Sequence, residues 1–349
     1  MKIIHVIEKF EQEYGGPYVS LRGIVEHSKN SHVVLHGSDL DKTQVRQCFN
    51  INPYNIKNFW RVLSDECCVE RNTIIHLHSP WNLFFLVTLL FAYTKSINLV
   101  FSPRGSITKY SLKRHWFAKK VIISFLKIIN MRKKIYCLCS SKLEKVEVEK
   151  EILFREVHII PNIVDINTPI NYNWCNRSRN ILYFGRVTEK KGLHEFLTWM
   201  DAVNAKYNCK FHIDIYGPVE QIYFDKLKLK NATYKGIVDR EDKFNVLSKY
   251  KIFALPSKTE NYGNAIVEVL SCGLVPILTS NTPWQDLFTS KLALEFEQTS
   301  DKLKNAIEHL QTLTAHPYSN DLSNVITRLD PKLIGRQMDN FYQRILGNA

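Results

Sequence analysis

Short apolar runs alternate with longer helix-patterned stretches along almost the whole chain, and that alternation constrains the architecture most. Lys2–Ile7, His32–Leu35, Ile74–Leu77, Asn98–Ser102, Ile135–Cys139 and Val157–Ile160 read as strands. So do Asn180–Phe184, Phe211–Tyr216, Thr233–Ile237 and Lys251–Leu255. Strands separated by helices are joined by crossovers, so the pattern predicts α/β domains with parallel sheets and helices on both faces. At 349 residues the chain is long enough for two such domains, each with its own core.

One stretch carries the densest set of signals. Pro256–Pro276 reads P-S-K-T-E-N-Y-G-N-A-I-V-E-V-L-S-C-G-L-V-P, directly after the run Lys251–Leu255. Glu260 falls on a loop, Gly263 opens a helix, and Glu268 lies about one turn into it. Gly273 suits the position past the helix end, where a left-handed conformation suits glycine, and Pro276 prevents the helix from resuming. A strand end, a loop carboxylate, a glycine and a helix N-terminus make an anion-binding corner. The free N–H groups and partial positive charge of that terminus suit a diphosphate.

The composition, 45% hydrophobic and 23% charged, is that of an ordinary globular protein, whereas the net charge of +13 points to an anionic partner. No helix-turn-helix, RNA-binding aromatic motif or zinc-finger spacing accompanies the charge, which argues against nucleic acid. Eight cysteines without a C-x-x-C pair fit a reducing compartment rather than a disulfide framework. The start M-K-I-I-H-V-I-E reads as a first strand, not a signal peptide. Trp81–Thr94 is apolar but too short to span a bilayer, and reads as a buried helix.

Other motifs sit on strand-to-helix junctions. Tyr14-Gly15-Gly16-Pro17 precedes a helix beginning near Pro17, and adjacent glycines let the backbone approach a ligand. Asp39 and Asp41 form a D-x-D pair in a polar loop, where they read as ordinary loop residues. His76 and His78 alternate onto one strand face, but no third ligand is evident nearby, so no metal site is expected. Pro103-Arg104-Gly105-Ser106 follows a strand, and Arg104 offers a fork of donors to a phosphate or a sugar hydroxyl. Gly185-Arg186 and Lys191-Gly192 bracket the loop after another strand, placing two cations at the carboxyl edge of a sheet, where such folds bind ligands. Lys109–Lys134 holds nine Lys or Arg and no acid, interleaved with Trp116, Phe117, Val121, Ile122, Phe125, Leu126, Ile128 and Ile129. At helical spacing this is a basic amphipathic segment suited to an anionic membrane surface; its alternative is a helix packed in the core with lysines in water.

The two glutamates of E-N-Y-G-N-A-I-V-E, followed by C-G-L-V-P, together with G-R-x4-K-G at Gly185–Gly192, resemble the retaining GT-B glycosyltransferases of family 4, group 1. Ser102–Gly105 resembles the S-P-R-G loop of members that build bacterial surface polysaccharides. Ile163 stands where the family usually has a glycine, and Arg104 where many relatives have a histidine, so no histidine role carries over.

The resemblance implies two Rossmann-like domains facing a central cleft. Residues 1–166 would bind acceptor, 167–180 would link, 181–330 would bind the donor, and 331–349 would form a last helix returning to the first domain. It implies transfer with retention from a UDP- or GDP-sugar to a glycan acceptor, a lipid-linked oligosaccharide in O-antigen, capsule or exopolysaccharide synthesis. Such an enzyme works as a peripheral protein on the cytoplasmic face of the plasma membrane. Glu260, Arg186 and Lys191 would carry catalysis. Gly16, Gly185, Arg186, Lys191, Glu260, Asn261, Tyr262, Gly263, Asn264 and Glu268 would bind donor, with Glu268 on the ribose hydroxyls. Gly15, His78 and Arg104 would line the acceptor side. No cofactor or metal is expected, because the cations and the helix dipole take its place. The alternatives are a GT-B sugar-nucleotide epimerase or hydrolase, and a non-catalytic membrane-docked binding subunit.

Overall fold

A computed structural model of the chain describes all residues except 12–14, 38–47, 53–54, 69–71, 114, 133–134, 167–173, 298–300 and 348–349. Tyr14, the Asp39/Asp41 pair, Arg114, Lys133, Lys134 and part of the expected linker lie outside the described residues. The chain divides into two compact units, Met1–Val164 with Pro331–Ala349, and Asp165–Asp330.

The first unit is built on seven parallel strands: β1 (Lys2–Val6), β2 (Ser31–His36), β3 (Cys48–Asn50), β4 (Thr73–His78), β5 (Asn98–Ser102), β6 (Ile135–Cys139) and β7 (Glu156–Ile159). Their order is β3-β2-β1-β4-β5-β6-β7. The helices between them are α1 (Gly16–His27), α2 (Ile56–Cys68), α3 (Leu83–Lys95), α4 (Lys109–Lys113), α5 (Trp116–Arg132) and α6 (Lys142–Glu151). Strands covered on both faces are mostly apolar; β1 and β4 are buried throughout, and the polar residues they carry, Lys2, His5, Thr73, His76 and His78, are buried with them. Ile4, Val6, Ile75, Leu77 and Phe101 face one way, onto Phe59, Phe85, Phe91 and Leu126. Ile3, Ile74, Val100 and Tyr136 face the other way, onto Ile24 and the last helix.

The second unit holds β8 (Ser178–Phe184), β9 (Ile213–Tyr216), β10 (Ala232–Gly236), β11 (Tyr250–Leu255), β12 (Val275–Leu278) and β13 (Leu294–Glu295), in the order β10-β9-β8-β11-β12-β13. Its helices are α7 (Leu193–Tyr207), α8 (Gln221–Phe224), α9 (Lys243–Leu247), α10 (Asn264–Ser271), α11 (Gln285–Thr289), α12 (Asp301–Thr312) and α13 (Ser319–Arg328). Ile181, Ile213, Ile252 and Ile277 pack against Phe196, Met200, Leu303 and Ile307.

α14 (Pro331–Gly347) then belongs to the first unit. Ile334, Met338, Phe341, Tyr342 and Ile345 close the second face of that sheet. Asp339 accepts from the Lys29 amide (3.1 Å) and from Asn30 Nδ2 (2.7 Å) in the turn after α1.

Three expectations need correction. The expected linker 167–180 is shorter at its C-terminal end, since Trp174 is buried in the second unit's core and 178–180 already belong to β8. The helix expected over Arg240–Lys249 covers only Lys243–Leu247. Residues 239–242 form a turn in which the Asp242 amide donates to Asp239, and Lys249 lies next to a strand whose partner Ser178 binds its carbonyl. The basic segment is two helices rather than one, with His115 in a left-handed conformation (φ 54°) between them. The short strand β3 and the helices α2 and α13 were not anticipated from the sequence.

α1 and α14 approach so closely that a Cβ on Gly335 would lie 2.4 Å from the His27 carbonyl oxygen. Both atoms sit on rigid helices, so Gly335→Ala should destabilise the first unit by about 1–3 kcal/mol and lower its thermal midpoint by roughly 2–10 °C. An unchanged calorimetric transition would rule out this contact.

Candidate functional site

In each sheet the strand order reverses between two neighbouring central strands, β1/β4 in the first unit and β8/β11 in the second. Loops leaving such a pair at the carboxyl edge diverge to opposite faces and open a crevice there. Gly15, Gly16, Gly185, Arg186, Lys191 and Glu260–Gly263 fall on or beside those loops; His78 ends β4, Arg104 follows β5, and Asn264 and Glu268 lie in α10.

In the second unit, Gly185 and Arg186 follow β8, and a single 3-10 turn, Glu189–Lys191, follows them. Pro256–Gly263 follows β11 and leads into α10. The two loops are locked together through Gly192. Its φ is +69°, and a Cβ there would stand 2.0 Å from the Pro256 carbonyl oxygen, so glycine is required on both counts. The Lys258 amide donates to the Lys190 carbonyl (2.9 Å) across the same seam. This docking sets Lys191 Nζ 2.5 Å from Glu260 Oε1, to which Ser257 Oγ also donates at 2.7 Å. Burial by itself favours protonated Glu260, but the Lys191 ammonium and the two hydrogen bonds outweigh it and hold its pKa below the ordinary carboxylate value.

Gly263 begins α10 at φ +81°, a conformation in which a side chain is strained. No side chain caps α10 and no acid occupies its first turn. Asn261 on the loop and Asn264, the first residue of α10, are half-buried. Tyr262 is 5% exposed and turned onto Trp284, which donates to the Tyr262 carbonyl, so this ring packs the loop. Arg186 is exposed on the same edge, and the space where a Gly185 side chain would stand is open. Gly273 follows the helix in the left-handed conformation expected of it.

Glu268 is buried on α10, where Lys243 Nζ lies 2.8 Å from its Oε1. Burial raises its pKa, and Lys243 offsets only part of that. Lys243 was not anticipated, because it lies 25 residues away and only the packing of α9 on α10 brings the two together.

In the first unit, Gly15 caps α1 with φ +74° and Gly16 is its first residue; no side chain caps this helix. Arg104 follows β5 in a left-handed conformation (φ 54°) that only Gly, Asn and Asp adopt readily. Its Nη1 donates to Ser20 Oγ and Asn162 Oδ1. The next residue is fixed by Glu144, whose Oε1 accepts from the Gly105 amide (2.7 Å) and whose Oε2 accepts from the Ser140 amide (2.7 Å). Ser141-Lys142-Leu143-Glu144 is a capping-box sequence, a signal that would have flagged Glu144.

His78 is buried at the end of β4. Its Nε2 lies 3.1 Å from His5 Nδ1, and His5 Nε2 lies 2.9 Å from His32 Nδ1. His76 bonds Tyr342 Oη (2.7 Å) and Ser102 Oγ (2.8 Å). His5 thus supplies the third imidazole that the sequence did not reveal, its ring nitrogen within 4.8 Å of those on His76 and His78. These nitrogens bond one another and hydroxyls, and the Arg104 cation beside them opposes a dication. The cluster reads as a hydrogen-bonded core of neutral imidazoles.

Residues 178–312 match the family model described as Glycosyl transferases group 1. That stretch is similar to the group 1 glycosyltransferases. Over 388 aligned positions, covering 99% of the chain and 97% of the relative, the chain is 24% identical to a GDP-mannose:cellobiosyl-diphosphopolyprenol alpha-mannosyltransferase of Xanthomonas oryzae. It is also 24% identical to an uncharacterized 41.2 kDa protein of the cps region of Klebsiella pneumoniae, over 80% of this chain and 81% of that one. Among solved structures, HepE of Anabaena in complex with UDP and glucose superposes with a TM-score of 0.77 at 15% identity, covering 99% of this chain and 100% of the other. The fold is GT-B, as the sequence implied.

The buried imidazoles should make the first unit acid-sensitive. Burial holds all four below the ordinary histidine value, His32 at about 4. The unfolded chain therefore takes up these protons first as pH falls, so the stabilisation is complete above about pH 6.5 and is lost below it. For His32 the loss by pH 4 amounts to at most about 3 kcal/mol. Urea midpoints should fall from pH 7.5 to 4.5, and less steeply in His32→Asn; equal slopes would contradict this origin.

Proposed function

We propose that the chain transfers a sugar, with retention, from a UDP- or GDP-sugar to a lipid-linked glycan in the synthesis of a bacterial surface polysaccharide. The observation that carries this reading is the Lys191–Glu260 pair at the strand-order reversal of the second unit, beside the uncapped N-terminus of α10. Breaking the anomeric C–O bond places growing negative charge on the leaving diphosphate. Arg186, Lys191 and the amides at Gly263–Asn264 are fixed positive groups suited to meet it, with Gly16 and Gly185 giving the backbone close approach. Glu260 faces the donor sugar in this reading, and Glu268 takes ribose hydroxyls. These groups supply the charge a metal would otherwise bring, so none is invoked. The acceptor belongs to the first unit, with Gly15 and Arg104 on its ligand-binding edge and His78 among the imidazoles behind Arg104. The names of the relatives, a diphosphopolyprenol mannosyltransferase and a protein of a cps region, support such an acceptor; a place at the cytoplasmic membrane face is part of the same proposal.

The basic segment supports the same view. Ile123, Leu126 and Ile129 bury one face of α5. Trp116, Phe117, Val121, Ile128 and Met131 form a second apolar stripe, each more than half exposed, with Lys120 over the Trp116 ring. One face of this segment packs into the core, and the membrane reading concerns the other. No helix among the described residues is long and apolar enough to cross a membrane. An apolar stripe flanked by lysines suits an anionic lipid surface.

Two experiments test this. Sugar transfer from UDP- and GDP-sugars should fall by about 10²–10³ in Lys191→Met and in Glu260→Ala, the scale of losing one preorganised transition-state interaction. Undiminished transfer by either variant removes that residue from the mechanism, and product formed without acceptor would favour a hydrolase. Flotation with anionic liposomes should be lost in a Phe117→Ser/Met131→Ser variant; equal flotation discards the α5 surface.

A further inference from the structure

Lys243 opens the five-residue helix α9 and is 8% exposed. An ammonium that deeply covered is unfavourable unless it is paired, and an apolar side chain would pack a helix against α10 as well. Its charged partners are carboxylates of the same unit, and Nζ also lies 4.8 Å from the centre of the Phe244 ring. Nζ lies 2.8 Å from Glu268 Oε1 and 4.0 Å from Asp165 Oδ2, and Asp165 Oδ2 also accepts from Arg240 Nη2 at 3.1 Å. Two cations and two carboxylates thus form a chain, Arg240–Asp165–Lys243–Glu268, that ends on one oxygen of the Glu268 carboxylate.

We propose that Lys243 is a positioning residue for nucleotide recognition: it holds Glu268 Oε1 and leaves Oε2 to a ribose hydroxyl, which makes the site selective for ribonucleotides over 2′-deoxyribonucleotides. The proposal rests on the donor-site reading of the second unit. A carboxylate accepts at both oxygens only while ionised; once protonated it presents an O–H where a ribose hydroxyl also needs an acceptor. Burial and the neighbouring Asp165 both favour the protonated form of Glu268, and Lys243 opposes them. Removing the ammonium therefore raises the pH at which Glu268 takes up a proton, and the acceptor disappears as pH falls. It also frees the carboxylate to rotate. A packing role for Lys243 would produce neither effect.

Calorimetric titration of the full chain with UDP, GDP and their 2′-deoxy counterparts between pH 5.5 and 8 tests this directly. The wild type should bind at least one ribonucleotide about ten- to a hundredfold more tightly than its 2′-deoxy form, the scale of one hydrogen bond to a charged group. Lys243→Met should lose most of that ratio and bind progressively more weakly toward pH 5.5, while Lys243→Arg should restore both properties. Lys243→Gln, which keeps polarity without charge, serves if the methionine variant does not fold, and should behave as the methionine variant does. Glu268→Gln should remove the pH dependence. Nucleotide binding that keeps its ratio and its pH profile in Lys243→Met or Lys243→Gln overturns the role of Lys243 alone. A wild type that binds none of the four nucleotides overturns the donor-site reading and this inference with it.

Discussion

Parallel strand pairing is the constraint on which everything else in this molecule depends. Parallel neighbours cannot be joined by a hairpin, so each strand is followed by a crossover, and all loops of one polarity gather at one edge of the sheet. In both units the chain starts near the middle of its sheet and works outward in one direction, then returns to fill the other side. The loops on either side of that reversal leave in opposite directions, and a crevice results without any residue being selected to make it. Gly15-Gly16 after β1 and His78 at the end of β4 stand at the first reversal. Arg186 after β8 and Glu260 after β11 stand at the second. The chemistry of the site is layered on a geometry that backbone hydrogen bonding had already dictated.

On that geometry the second unit uses paired charges where the first uses neutral polar groups. Lys191 with Glu260, and Lys243 with Glu268, each put an ammonium against a carboxylate in surroundings that neither would tolerate alone. The net effects differ in sign: Glu260 is held as a carboxylate, whereas Glu268 is nearer to protonation. Two glutamates eight positions apart are thereby given different acidities by their neighbours, which suits them to different tasks. In the first unit, four imidazoles, Ser102 and Tyr342 bond one another, though His32 Nε2 and His78 Nδ1 find no partner among the described residues, and Arg104 is the cation beside them.

Much of this was legible in the sequence, for definable reasons. Strands buried on both faces declare themselves as apolar runs, and β5 and β6 fall where the pattern placed them. The ends of α10 were readable because Gly263 and Gly273 need left-handed backbone there. What could not be read depended on contacts across the fold. Lys243 carries no local mark of its pairing with Glu268, and His5 reads as one polar residue in a strand until β1 pairs with β4 and sets it opposite His76. Trp174 was hidden in a stretch whose polar composition suggested a linker, although one large aromatic ring is enough to anchor the chain. The α5 surface was half legible, since helical spacing showed an apolar face but not that there were two.

The return of α14 to the first unit sets an order of events during synthesis. Asp165–Asp330 is continuous in sequence and can complete its core as soon as it leaves the ribosome. The first unit cannot, because Ile3, Ile74, Val100 and Tyr136 wait for Met338, Phe341 and Tyr342. At about 5–20 residues per second the intervening unit delays that closure by roughly ten to thirty seconds. Throughout that interval the part of this face that α14 covers, beside α1, is without its last helix.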